Sequence, residues 1–73
     1  MELIDRYVHE IGQLLPGRMR ADVQAELRSL LTESLEDRAR AAGRAPDAEL
    51  VKTVLREFGS PQEAAARYAP QPQ

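Results

Sequence analysis

Cysteine is absent from the 73 residues. That excludes a disulfide and a thiolate metal site, and it fits a reducing cytoplasm. A chain of this length builds one core and leaves no room for a second. Without covalent staples its stability must come from helix packing, aided where needed by self-association. Lysine occurs once, at Lys52, and histidine once, at His9. Acidic residues outnumber basic ones by 12 to 10, for a net charge of -2. Nucleic-acid binders usually carry a basic excess or stripe, so no nucleic-acid partner is expected. No apolar run approaches the roughly 18–20 residues that span a bilayer. The N-terminal stretch MELIDRYVHE has acids where a signal peptide needs an apolar region, so no leader is expected. The four glycines are isolated, which excludes a glycine-rich phosphate loop.

The residues able to do chemistry form no recognisable constellation. His9 has only Asp5 and Gln13 at helical spacing. It reads as a solvated surface histidine, and no second histidine completes a zinc set. Ser29, Thr32, Ser34, Thr53 and Ser60 fall on helices or at a cap, away from any strand-to-helix elbow. Glu33 and Asp37 share one helical face, but a di-metal bundle needs Glu-x-x-His motifs from several helices. Arg18, Arg20 and Arg28 interleave with Asp22, Glu26 and Glu33, a mixed surface rather than a basic patch for phospholipid head groups. No catalytic, cofactor-binding or metal-ligating residue is assigned, no cofactor is expected, and the chain reads as non-enzymatic.

What is present is helical periodicity. Hydrophobic residues make up 42% of the chain, too many for a disordered segment, although eleven of them are alanine. Leu3, Ile4, Tyr7, Val8, Ile11, Leu14 and Leu15 recur at three- and four-residue spacing. They predict a helix over 2–15, ended by Pro16. Gly12 weakens that helix by about 1 kcal/mol and suits a close approach by another. Met19, Val23, Leu27, Leu31 and Leu35 recur every four residues, and Leu30 widens their stripe. These predict a long helix over 18–42, with Pro16 able to open it and Gly43 in the left-handed position that ends it. Arg20, Gln24, Arg28, Glu36 and Arg40 form its opposite, polar face. Pro46 at the first helical position, with Asp47 and Glu49 behind it, starts a third helix over 46–58. Its apolar face is Leu50, Val51, Val54, Leu55 and Phe58.

Gly59 ends that helix, and Ser60-Pro61-Gln62-Glu63 starts another over 61–68. Ser60 can cap the Glu63 amide and Glu63 can reach back to the Ser60 amide, a capping box with Pro61 at the first helical position. Tyr68 closes this last helix, and APQPQ at 69–73 reads as a tail or linker. The fold expected is all-α, a small compact bundle of three main helices plus a short C-terminal helix. It forms one domain over 1–70, with 71–73 as tail. The long helix is about twice the length of any partner. Its own chain is expected to cover it, with homodimerisation as the alternative.

Three pieces stand in order: IDRYVHEIGQLLP, RADVQAELRSLLTESLEDRARAAGR and VLREFGSPQEAAARYAP. Together they resemble the HAAS family of helical signalling-type domains over about residues 3–70. The last piece, Phe-Gly-x-Pro with a following alanine and tyrosine, carries most of the likeness. The resemblance implies a cytosolic prefix to the transmembrane part of a bacterial membrane protein, at the cytosolic face of the inner membrane. It also implies partnership with a PadR-type regulator or another protein helix, with the membrane reached only through a segment outside this chain. It brings no catalytic residues. Leu30, Leu31, Leu35, Phe58 and Tyr68 are the expected core or groove residues, and Gly59, Ser60, Pro61 and Glu63 the structural joint. The alternatives are a small DNA-associated regulator and a stand-alone soluble adaptor or dimerisation module. Helix 46–58 argues against the first, because Lys52 and Arg56 face Asp47, Glu49 and Glu57.

Overall fold

In a computed structural model of the protein, which describes residues 2–68, four α-helices follow one another. They are α1 (Glu2–Gln13), α2 (Gly17–Ala42), α3 (Ala48–Phe58) and α4 (Pro61–Tyr68). No strand occurs among the described residues, and the protein is an all-α bundle of three main helices and one short one. The tail predicted at 69–73 lies outside the described residues.

Three predicted boundaries move, each for a local reason. α1 stops at Gln13 instead of Leu15. The Leu14 and Leu15 amides donate three residues back, to Ile11 O at 3.0 Å and Gly12 O at 3.2 Å. This tighter winding is how the chain meets Pro16, which keeps Leu15 out of the α conformation. Leu15 turns inward, 4% exposed, and Leu14 outward, 47% exposed. α2 begins at Gly17, because Pro16 is extended (φ -54°, ψ 141°) and precedes the helix as its cap residue. α3 begins at Ala48, so Pro46 is not its first residue. Asp47 is extended and caps it, its carboxylate accepting the Leu50 amide at 2.9 Å. A carboxylate there satisfies an otherwise orphaned donor, which Pro46 cannot do. At the end of α2, Gly43 is left-handed as predicted (φ 69°, ψ 30°). The Gly43 amide donates to Arg40 O and the Arg44 amide to Ala39 O, a Schellman closure.

α2, about 39 Å long at 1.5 Å per residue, sets the long axis of a 45 × 19 × 15 Å molecule. Its first half pairs with α1 in an antiparallel hairpin. Arg20 Nε donates to Gly12 O at 2.7 Å, Gln24 Nε2 donates to Val8 O at 3.2 Å, and Arg28 pairs with Asp5 at 3.5 Å. Each step of four along α2 is thus a step of three or four back along α1, a polar ladder that fixes the register. Arg20 and Gln24 are therefore half-buried against α1, whereas Arg28 stays exposed on the polar face the sequence predicts. Gly12 makes the approach feasible: a Cβ there would overlap the Gln24 amide and lie 3.1 Å from Arg20 Cγ. The second half of α2 carries α3, held at its rim by an Arg38–Glu57 ion pair.

The α2 stripe is covered by its own chain. Val23, Leu27, Leu31, Leu35 and Ala39 are buried, together with Ile4, Tyr7, Val8, Ile11, Leu15, Leu50, Val51, Val54, Ala64 and Ala65. A fully buried leucine contributes about 1.5–3 kcal/mol. Leu30 is a correction, because it remains 38% exposed and does not widen the stripe. It sits about 100° round the helix from Leu31, at the edge of the covered sector. α1 packs against all three other helices, and α4 lies on α1.

Candidate functional site

Two regions gather most of the candidate side chains. The first is the joint between α3 and α4. Ser60 N–H donates to Glu63 Oε1 at 3.0 Å, and Glu63 N–H donates to Ser60 Oγ at 3.1 Å. The capping box is reciprocal, as the sequence predicts. Gly59 has φ 109° and ψ 176°, a region essentially closed to other residues. Tyr7 of α1 reaches this joint from 52 residues away and donates its hydroxyl to Gly59 O at 2.6 Å. Its ring meets Phe58 edge-on, with centroids 6.4 Å apart and planes at 84°. The Arg67 guanidinium sits 5.8 Å above the Phe58 ring. The joint is thus an aromatic pair clasped between α1 and α4.

The electrostatics follow from these contacts. Burial pushes the Tyr7 phenol above its ordinary value, Arg67 draws it down, and Glu63 pushes it up. Glu63 is held below the usual carboxylate range by the Ser60 amide first, then by the Ser60 hydroxyl and Arg67. Asp47 is lowered chiefly by the Leu50 amide, then by Arg44. A carboxylate lowered in the folded state adds stability above its unfolded value, lost as pH falls through the folded one. Stability should therefore fall below about pH 4. Glu63→Gln keeps an oxygen for the Ser60 amide but no longer titrates. Urea melts across an acid pH series should show a shallower acid decline for that variant, which is less stable than the wild type at neutral pH and converges with it in acid. Identical slopes would contradict the assignment.

The second region is an open groove between α2 and α3, about 390 Å³ in volume. Ala41, Val54 and Phe58 supply its apolar surface, and Asp37, Arg38 and Glu57 its charged rim, with Ser34 between. Leu30, Ser34, Asp37 and Ala41 recur at spacings of four, three and four, so exposed Leu30 continues the same edge of α2.

The candidates separate accordingly. Leu31 and Leu35 are buried in the core. Leu30 is exposed beside the groove, and Phe58 is half-buried and lines it. Tyr68 is half-buried against the core. Gly59, Ser60, Pro61 and Glu63 form the joint. Sequence reasoning missed the Tyr7 hydroxyl, Arg67, and the Arg38–Glu57 rim. Tyr7 was legible as a core position, but its partner is too distant in sequence to read from spacing.

A third, polar depression is lined by Glu2, Asp5, Arg6, His9, Glu10 and Arg28. His9 Nε2 lies 3.3 Å from Gln13 Nε2. Among the described residues, no group of three or more histidines and acids could hold a metal ion. No helix among them is long and apolar enough to cross a membrane. Comparison with protein-family models, curated proteins and solved structures gave no match.

Proposed function

We propose that the chain is a non-enzymatic interaction domain that relays a signal by docking a protein helix into the α2–α3 groove. The observation that carries this reading is the groove itself. Its apolar floor of Ala41, Val54 and Phe58 lies within a rim of Asp37, Arg38 and Glu57, with exposed Leu30 continuing its edge. Apolar anchors at helical spacing within a charged rim suit the apolar face of an amphipathic helix. The order of the three motifs resembling the HAAS family adds the setting: the cytosolic N-terminal part of a bacterial integral membrane protein, with a PadR-type regulator or another helix as partner.

Two measurements test the parts separately. A photo-crosslinking residue replaces Ser34 in the groove, or Glu36 on the far side of α2, in the native host. The docking reading expects a discrete protein adduct from Ser34 and none from Glu36. It also expects Ala41→Lys, which charges the exposed wall of the groove, to abolish the adduct while the helical signal is retained. Equal yields at the two positions, or no adduct, overturns it. The membrane setting is tested by reading the coding region beyond Gln73. About 20 consecutive apolar residues support it, and a stop codon overturns it in favour of a soluble adaptor.

A further inference from the structure

We infer that α4 is a detachable latch: it leaves α1 as a unit while α1, α2 and α3 stay packed, and in leaving it uncovers the α1 face around Tyr7. The latch stands on contacts of its own and does not rest on the docking reading above.

The grip of α4 is weak in kind. Its buried residues are Ala64 and Ala65, whereas α1, α2 and α3 each bury two or more branched aliphatic side chains. The most deeply enclosed large side chains are Val8, Ile11, Leu27, Leu31 and Val51, and none belongs to α4. Its length is equally telling. Eight residues fall below the roughly 12–15 at which an isolated helix holds in water, so α4 is helical only while docked.

The fixings at its joint are mostly polar: the Tyr7–Gly59 hydrogen bond, the Ser60–Glu63 box and the Arg67–Phe58 contact, with Tyr68 half-buried against the core at the far end of α4. Water can replace the polar ones. Opening at Gly59 and Ser60 cuts none of the α1–α2 ladder at Gly12, Val8 and Asp5, nor the Arg38–Glu57 pair. Such a segment belongs at the low end of local stability, where switching elements are found. Opening hydrates the Tyr7 hydroxyl and frees the Phe58 ring from Arg67. Phe58 also lines the α2–α3 groove, so the latch reaches one wall of that groove.

Native-state hydrogen exchange on the full chain, across sub-denaturing urea, tests this. The amides of Ala64 to Tyr68 should exchange at least tenfold faster than those of Leu27, Leu31 and Val51, relative to intrinsic rates, and with little urea dependence. Ser60→Ala combined with Glu63→Ala should speed α4 exchange further while the protection of Leu27 and Leu31 is unchanged. If the wild-type α4 amides share the rate and urea slope of Leu27 and Leu31, α4 opens only with the whole molecule and the latch is overturned. It is overturned as well if the double variant accelerates every amide equally.

Discussion

Leu31→Ala should lower the stability of this protein by about 2–5 kcal/mol, while Leu30→Ala, one residue away, should cost less than about 1 kcal/mol. Both are leucines in the middle of α2, so helix propensity changes equally in the two variants. The difference is burial. Leu31 is 0% exposed and packs within the cluster shared with Leu27, Val51 and Ile11, whereas Leu30 is 38% exposed. Removing Leu31 leaves a cavity that α1 and α3 cannot fill, since both are held in register by polar contacts to α2. A domain of this size has a total stability of roughly 4–11 kcal/mol. The Leu31 variant therefore gives up a large share of that total. Urea melts followed by far-ultraviolet circular dichroism measure both changes. Equal losses would mean that α2 is rotated from the position described, with its uncovered edge elsewhere.

That pair of leucines also marks how far the sequence could be read. The stripe of Val23, Leu27, Leu31 and Leu35 was legible because burial follows the helical period, a local property. Leu30 was misread because a position adjacent to the stripe is buried only if a neighbour extends over it. How far α3 reaches is a tertiary fact. Arg20 and Gln24 failed the same way in reverse. Their polarity fits either water or a neighbour's backbone carbonyls, and the pattern alone cannot choose. The Ser60–Glu63 box was legible in full because all its partners lie within four residues. The start of α3 was misplaced because Pro46 and Asp47 are both helix-start signals, and only the observed cap geometry ranks the carboxylate first. Of the α2–α3 groove only Phe58 was legible, because its wall and rim come from helices whose pairing the sequence leaves open.

The second large effect is at Gly59, where replacement by alanine should cost roughly 1–3 kcal/mol, although alanine replacing glycine at Gly17 should stabilise by about 0.4–1 kcal/mol. Space does not explain the contrast. A Cβ at Gly59 would meet Arg67 Nη2 at 3.4 Å and Glu63 Cβ at 3.5 Å, ordinary contacts, and a Cβ at Gly17 would meet nothing within 4 Å. The backbone decides. Gly59 holds φ 109°, where a side chain is strained, whereas Gly17 opens α2 and is not among the positive-φ glycines. At Gly17 alanine restricts the unfolded chain without cost to the folded one. At Gly59 the chain must either bear the strain or rotate, and rotation carries the Gly59 carbonyl away from the Tyr7 hydroxyl. Exchange then distinguishes a joint-specific effect from a global one. Gly59→Ala should accelerate the amides of Ala64 to Tyr68 well beyond its effect on Leu27 and Leu31. If Gly59→Ala and Gly17→Ala shift the urea midpoint in the same direction, the backbone at the α3–α4 joint is not the one described.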